Sequence, residues 1–234
     1  MKVERLWRYP VKSLRGEELA QAVLTDDGVF GDRVVHVGGT HGPVTGRTRH
    51  SLLTIPVATG DGGEPVIAGH RWDSQEASAV IRRHAGPTAE LRHYEGPERF
   101  DVHNLLVATD SAVAELRADV RRLRPNILLG GVPPGAERGW SGKALAIGDA
   151  IIGIQGLRQR CIVTTIDPDT GAQDLDVLRR IRDEFGTRIA LDCWVSKPGT
   201  IHIGDAVRVI DAIEQPPRHG GWVIGTPYLV RPAR

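Results

Sequence analysis

The chain lacks several features that would assign it quickly to a class. It has two cysteines and one methionine among 234 residues, which argues against a disulfide framework. No run of about 20 apolar residues occurs, so we expect no membrane-spanning helix. The 30 Lys and Arg residues nearly balance the 29 Asp and Glu residues, which argues against a general nucleic-acid-binding protein. The N-terminus is charged and shows no signal peptide, so we expect a cytoplasmic protein with reduced thiols.

Several familiar cofactor and catalytic motifs are also missing. The sequence contains no glycine-rich dinucleotide fingerprint after a strand and no Walker loop, which argues against a nicotinamide, flavin or nucleotide-triphosphate site. It has no paired Cys-x-x-Cys or His-Glu-x-x-His zinc motif and no nucleophile elbow of the α/β-hydrolases. The nine histidines are scattered, and they predict no metal cluster.

What the chain does have is a series of short apolar runs separated by turn residues. The first hundred residues predict strands at 3–9, 19–25, 32–37, 52–58 and 64–68. The second half predicts strands at 104–108, 127–129, 143–147, 150–157, 161–166, 200–203 and 206–210. Three helices are predicted: one begins at a capping box at Asp73 and Glu76, one begins at Asp110, and an amphipathic one at residues 174–185 includes Leu175 in its apolar stripe.

Many short strands with few helices favour β-barrels over a doubly wound sheet. Gly96-Pro97-Glu98 interrupts the pattern near the middle of the chain. We therefore predict a mainly β (α+β) fold in two parts. Residues 1–98 form an N-terminal β-rich domain, and residues 99–234 form a C-terminal β-barrel decorated by short helices.

The segment from residue 158 to 171, with the sequence RQRCIVTTIDPDTG, carries the main chemical signal. Cys161 closely follows Arg158 and Arg160, and nearby cations favour the thiolate, which is the reactive and metal-binding form of cysteine. A single soft thiolate suits a soft or high-valent metal held largely by other sulfur ligands. A buried, inert cysteine at a strand start is equally consistent with these residues, and for Cys193 we favour that second interpretation.

The stretch from Arg160 to Gly171 resembles the signature of the MOSC family, the molybdenum-cofactor sulfurase C-terminal domain. Further segments resemble other pieces of the same domain: RPNI at 124–127, WSGK at 140–143 and PGTIHIGD at 198–205. YPVKSLRG at 9–16 and GDR at 31–33 resemble the MOSC N-terminal β-barrel domain that precedes it. The resemblance spans nearly the whole chain in the right order, and within the family it suggests the amidoxime-reducing components and their bacterial counterparts.

The resemblance implies that Cys161 is the protein ligand of molybdenum in a molybdenum–molybdopterin cofactor. The cofactor contacts that it implies are Lys12, Ser13, Arg33, Thr109, Arg124, Asn126 and Arg160, with Asp110 beside Thr109 near the pterin. Guanidinium forks suit phosphate and pterin carbonyls, and lysine supplies a point charge. The alternative is that these arginines form surface ion pairs worth under about 1 kcal/mol each. The basic groups at these family positions favour the cofactor interpretation.

Two residues depart from the family pattern. Gln159 stands where close relatives often have Ser, and Asp192 stands where they often have an aromatic residue. Asp192 is a candidate catalytic residue that carries a proton or a cation near the site. It is equally interpretable as a salt-bridged strand residue. Both departures bear on the substrate and leave the predicted fold unchanged.

The resemblance implies a molybdenum-dependent oxidoreductase that reduces a small N-oxygenated substrate by two electrons, with the cofactor carrying the redox chemistry. The chain shows no iron–sulfur, haem or flavin signature and stops at Arg234, so we expect a separate electron-donor protein or reductase. No pyridoxal phosphate is expected, because the chain has no room for a sulfurase domain. The alternative function is a molybdenum-cofactor or sulfur carrier module with a persulfide on Cys161.

Overall fold

The computed structural model describes residues 1–94 and 99–211 of the chain. The predicted domain boundary falls at the edge of the segment 95–98, which lies outside the described residues, as does the part of the predicted second domain beyond residue 211. The division into residues 1–98 and 99–234 therefore stays a prediction. Among the described residues, we find no helix that is long and apolar enough to cross a membrane.

The described chain is mainly β, as predicted, and its α-helices are short. The helices are α1 (Gln75–Ala85), α2 (Asp110–Leu116) and α3 (Leu175–Phe185). The strands are β1 (Lys2–Arg8), β2 (Glu17–Leu19), β3 (Gln21–Thr25), β4 (Gly28–Val29), β5 (Val35–Gly39), β6 (Gly42–Val44), β7 (Val57–Thr59), β8 (Pro65–Ile67), β9 (His70–Arg71), β10 (Glu90–His93), β11 (Leu105–Thr109), β12 (Ile127–Gly130), β13 (Ala144–Ile147), β14 (Ala150–Gln159), β15 (Arg188–Lys197), β16 (Gly199–His202) and β17 (Val207–Ile210).

An eight-stranded sheet forms the centre of the fold. Its strand order is β17-β13-β14-β15-β11-β12-β1-β2. A bridge between Lys2 and Ala206 places β1 beside the start of β17, and the amide of Val3 donates to the carbonyl of Asp205 at 2.9 Å. The sheet therefore closes on itself as a barrel, which protects its edges. Strand β1 at the beginning of the chain is thus part of the barrel that the second half builds.

Apolar cores lie inside and beside this barrel. Because side chains alternate across a strand, Leu6 of β1 packs in the barrel interior, while Trp7 packs outside it against α2 and α3. A further cluster, which includes Leu14, Val35 and Ile81, packs α1 against the small sheet β10-β5-β6. We call this part, residues 33–94 together with the loop 10–16, the N-terminal lobe. The loops at the junction of the lobe and the barrel therefore lie between the apolar clusters of these two parts.

One predicted strand, at residues 161–166, is a 3-10 helical turn instead. The reason is local hydrogen bonding. The hydroxyls of Thr164 and Thr165 donate to the carbonyls of Cys161 and Ile162 at 2.9 and 2.7 Å. These carbonyls therefore need no neighbouring strand, and the chain turns directly after the cysteine.

Three smaller predictions about local structure are also corrected. The predicted strand at 52–58 is largely a 3-10 turn at His50–Thr54, and β7 starts only after it. Strand β5 begins later than predicted, which leaves Asp32 and Arg33 in a turn. Leu175, predicted to be buried, is 46% exposed, because helix α3 begins at this residue and its buried face starts further along.

Strands β14 and β15 approach each other closely at Gly153, so a substitution there tests the packing of the barrel. Gly153 lies opposite Trp194, and a Cβ atom at this position would overlap the indole ring. We expect Gly153→Ala to lower the free energy of unfolding by about 1–3 kcal/mol, as overpacking does, measured by urea denaturation. Gly139→Ala is the matched control, since a Cβ there meets nothing within 4 Å. Equal stability of the two variants would contradict this packing.

Candidate functional site

One pocket lies where the N-terminal lobe meets the barrel, and it gathers most of the predicted cofactor residues. The predicted residues that line it are Lys12, Ser13, Arg33, Arg124, Asn126, Arg160 and Cys161. Two predicted residues, Thr109 and Asp192, are not part of its lining. Arg47 and Asp101, which the sequence does not assign to the site, also line it, as does Arg158, the cation close to Cys161 in the sequence.

Cys161 follows the end of β14, and its side chain is partly exposed in the pocket. The turn after it is anchored by Arg122, which donates to the carbonyl of Thr165 at 2.7 Å. The other cysteine, Cys193, is fully buried in the barrel core, and burial raises the pKa of its thiol. Of the two thiols, Cys161 is therefore the one that a ligand in the pocket can reach.

Arg124 and Arg160 line the pocket and carry buried donors that the described part of the chain leaves unsatisfied. Arg160 donates from Nη2 to the carbonyl of Leu123 at 2.6 Å. Its Nε atom and the Nη2 atom of Arg124 are buried and have no hydrogen-bond partner among the described residues. Burial is the main cause that lowers the pKa of both guanidinium groups to about 10, and for Arg160 the charge of Arg158 contributes to that shift. Both groups are still cations at neutral pH, and a buried donor without an acceptor is costly.

The ring of Tyr9 supports two of the pocket cations. The Cζ atoms of Arg124 and Arg33 lie 4.2 and 5.0 Å from the ring centroid, which is within the range of cation–π attraction. The Tyr9 hydroxyl donates to the carbonyl of Pro125 at 3.0 Å, and burial raises its pKa to about 12. The neutral ring therefore serves as a rigid platform for the two guanidinium groups.

Asp32 holds this platform together from inside the protein. Its carboxylate is fully buried and pairs with Arg33. It accepts hydrogen bonds from the amide of Tyr9 at 2.7 Å and from the side chain of Asn126 at 3.3 Å. The side-chain oxygen of Asn126 accepts from the amide of Leu106 at 3.2 Å. Asn126 thus joins the pocket wall to the barrel, and its contact with a cofactor stays a prediction.

Lys12 and Ser13 lie in the loop after β1. The Lys12 Nζ atom is 2.8 Å from a carboxylate oxygen of Asp101 and donates to the carbonyl of Arg99 at 2.9 Å. Burial lowers the pKa of Lys12, and the charge of Asp101 opposes that shift. Ser13 adopts a left-handed backbone conformation with φ of 69°, which is uncommon for residues other than glycine. The loop therefore brings one cation and one hydroxyl group to the pocket.

Two charged residues of the pocket, Asp101 and Arg47, are not predicted by the sequence. Arg47 Nη2 and Arg158 Nη2 lie 2.9 and 3.8 Å from the same Asp101 oxygen, Oδ2. Burial alone would raise the pKa of Asp101, but Lys12, Arg47 and Arg158 hold it well below its usual range. The sequence signal was weak, because neither residue lies in a segment that resembles the family motifs.

Thr109 and Asp110 serve the start of helix α2. The Thr109 hydroxyl accepts from the amide of Ala112 at 3.3 Å as the N-cap. The Asp110 carboxylate accepts from the amides of Gly131 and Val132 at 2.7 and 3.1 Å. A hydroxyl followed by an acid is a common signal for a helix start, and these contacts occupy both side chains away from the pocket lining.

Asp192 lies in β15 and is 7% exposed. Its Oδ1 atom is 2.6 Å from Nη1 of Arg158, which corresponds to the salt-bridged alternative left open by the sequence. Asp192 therefore does not line the pocket itself but contacts Arg158, which does. Gln159, the other departure from the family pattern, lines the pocket with an exposed side chain.

Two family models match this chain. The model of the MOSC domain matches residues 80–208, and the model of the MOSC N-terminal beta barrel domain matches residues 1–66. The chain therefore belongs to the MOSC domain family. Cys161 and the cations at Arg124, Arg158 and Arg160 fall within the first match, and Lys12, Ser13 and Arg33 fall within the second.

Two curated relatives are about 30% identical to this chain over an aligned region of 133 residues. The mitochondrial amidoxime-reducing component 1 of Mus musculus is 30% identical over 133 residues, which cover 47% of this chain and 37% of the relative. The Homo sapiens protein of the same name is 29% identical over 133 residues, covering 47% and 38%. The matches thus span less than half the length of these relatives. The YuaD protein from Bacillus subtilis, 12% identical, aligns with 91% of this chain and 96% of its own, at a TM-score of 0.48.

The buried carboxylate of Asp32 provides a test of how the pocket wall is held. We expect Asp32→Ala to destabilise the protein by about 3–5 kcal/mol, because it leaves Arg33 and the Tyr9 amide without their acceptor. Urea denaturation would measure this change. Asp183→Ala is the control, because Asp183 forms an exposed pair with Arg182 at 2.6 Å and its removal should have no measurable effect. A similar stability of both variants would show that Asp32 does not hold the wall.

Proposed function

We propose that the pocket binds a molybdenum–molybdopterin cofactor and that Cys161 is the protein ligand of its molybdenum. The observation that carries the proposal is the charge of the pocket. Its lining contains a single carboxylate, Asp101, among the described residues and six cationic side chains, which are Lys12, Arg33, Arg47, Arg124, Arg158 and Arg160. Two of these guanidinium groups keep buried donors without a partner in the described chain. An anion with several acceptor atoms would satisfy them.

The side chains fit the parts of such a cofactor. Lys12 and Ser13 supply a point charge and a hydroxyl for its phosphate, and the planar guanidinium groups of Arg124 and Arg160 suit phosphate or pterin oxygens. The accessible sulfur of Cys161 is the soft donor that a high-valent metal with sulfur ligands accepts. When bound, the cofactor supplies two-electron redox chemistry at molybdenum. The protein binds it, orients it and shields it within the junction of lobe and barrel.

We propose an oxidoreductase that reduces a small N-oxygenated substrate, such as an N-hydroxylated base, an amidoxime or an N-oxide. The substrate takes up two electrons and two protons, its N–O bond breaks, and the oxygen leaves as water. The names of the curated relatives support this substrate class. We propose that the electrons come from a separate donor protein or reductase, and that the reaction takes place in the cytoplasm.

Within this proposal, Asp192 acts as a positioning residue. Its carboxylate holds the guanidinium of Arg158 at 2.6 Å. Asp192 thus fixes the direction in which Arg158 approaches the pocket. The protons for the reaction then come from solvent that enters with the substrate.

The two cysteines offer a matched pair of variants. We expect Cys161→Ala to abolish molybdenum-dependent reduction of an aromatic amidoxime with little change in stability, because the thiol is partly exposed. Cys193→Ala should keep the turnover but lower the unfolding free energy, because it removes a fully buried sulfur from the core. Turnover with a chemically reduced mediator and urea denaturation measure the two effects.

The opposite pattern would count against the proposal. Retained turnover in Cys161→Ala would show that this sulfur is not the molybdenum ligand. Wild-type protein that is free of metal and carries a persulfide on Cys161, detected by mass spectrometry, would favour the sulfur-carrier alternative instead.

A further inference from the structure

Three cations converge on a single carboxylate at the edge of the pocket. Asp101 Oδ1 lies 2.8 Å from Lys12 Nζ, and its Oδ2 lies 2.9 Å from Arg47 Nη2 and 3.8 Å from Arg158 Nη2. The three cations come from different parts of the fold: the loop after β1, the loop after β6 and strand β14. Asp101 therefore connects all three cations through charge.

The backbone on both sides of Asp101 is anchored to the same turn. Arg99 donates from Nη2 to the carbonyl of Asp27 at 3.1 Å, and Asn104 donates from Nδ2 to the carbonyl of Asp26 at 2.7 Å. The turn approaches so closely that a Cβ on Gly28 would lie 2.6 Å from the carbonyl oxygen of Asn104. The carboxylate thus has a fixed position, so its charge acts on the pocket whether or not a ligand is present.

We infer that Asp101 is a resident counter-ion, which balances the pocket cations in the empty protein and thereby sets how tightly the pocket binds a phosphate-bearing ligand. The inference deepens the proposed function and rests on it in one respect, namely that the pocket receives an anion. Asp101 is a positioning residue in this account, because it acts through Lys12, Arg47 and Arg158.

The charge of Asp101 affects the stability of the protein and its affinity for anions in opposite ways. Removing the charge of Asp101 takes one anion from among Lys12, Arg47 and Arg158, of which Arg158 keeps its pair with Asp192 at 2.6 Å. The remaining cations then repel each other more strongly in a partly buried space, which destabilises the protein. With Asp101, an incoming anion shares these cations with a fixed negative charge, which weakens its binding. A counter-ion thus stabilises the empty protein and lowers its affinity for anions, whereas a residue that only shapes the pocket would raise that affinity.

Asp101→Asn separates these two roles, because asparagine keeps the shape and removes the charge. The experiment uses the full chain from a host that cannot make the pterin, with inorganic phosphate as the probe. We expect Asp101→Asn to unfold at a lower temperature than wild type without phosphate. We expect its apparent Kd for phosphate, from the phosphate dependence of Tm, to be about tenfold lower. Sodium chloride at equal ionic strength corrects for screening.

Two further variants control for packing and folding. Asp183→Asn, in the exposed pair with Arg182, should change neither Tm nor phosphate affinity. Arg47→Gln added to Asp101→Asn should restore part of the lost stability, because it removes one of the repelling cations. If Asp101→Asn alone does not fold, the double variant should recover folded protein, which a loss of packing would not allow.

Each outcome of these measurements either supports or overturns the role of Asp101 as a counter-ion. A higher phosphate affinity in Asp101→Asn together with rescue by Arg47→Gln supports it. An unchanged or lower phosphate affinity in Asp101→Asn, no response to phosphate in either protein, or no rescue overturns it. Failure of the proposed function would appear differently, as an absence of molybdenum in wild type from a pterin-producing host, so the two failures are distinguishable.

Discussion

The arrangement of the site depends on the repulsion between cations that the fold collects in one pocket. Six cationic side chains and one carboxylate line the space between lobe and barrel in the described chain. The protein balances part of this charge with its own acids, Asp32 behind Arg33 and Asp101 in front of Lys12. Among residues 1–94 and 99–211, the buried Nη2 atom of Arg124 and the buried Nε atom of Arg160 have no hydrogen-bond partner. A pocket with this surplus is suited to an anionic ligand, because positive charge without a partner is costly to bury.

The barrel is what makes such a concentration of charge possible. Strand β1 closes the barrel beside β17 and then leads directly into Tyr9 and the loop of Lys12. Strand β14 of the same barrel ends just before Cys161. The segments that follow β1 and β14 thus deliver their side chains to one place. The aromatic ring of Tyr9 and the buried Asp32 hold guanidinium groups there. The energy for holding the cations together comes from packing elsewhere in the barrel.

The sequence predicted which residues share the pocket better than it predicted the local structure around them. Cys161, Arg124 and Lys12 lie in segments that resemble a family signature, so their common pocket was predictable. Asp101 and Arg47 belong to no such segment, and only the folded chain brings them together. The prediction of a strand after Cys161 was wrong, because threonine hydroxyls donate hydrogen bonds to the backbone carbonyls of this segment. Thr109 was predicted as a cofactor contact, but its hydroxyl caps helix α2. A hydroxyl group suits both roles, and sequence periodicity alone does not distinguish between them.

The central claim is that the charge of this pocket is matched by a molybdenum–pterin anion held through Cys161. The most direct measurement is elemental analysis, with fluorescence detection of the oxidised pterin, on the full chain purified from a host that makes this cofactor. The account predicts about one molybdenum and one pterin per chain, both lost when the protein is denatured and filtered. Well-folded protein from that host with neither molybdenum nor pterin would contradict it.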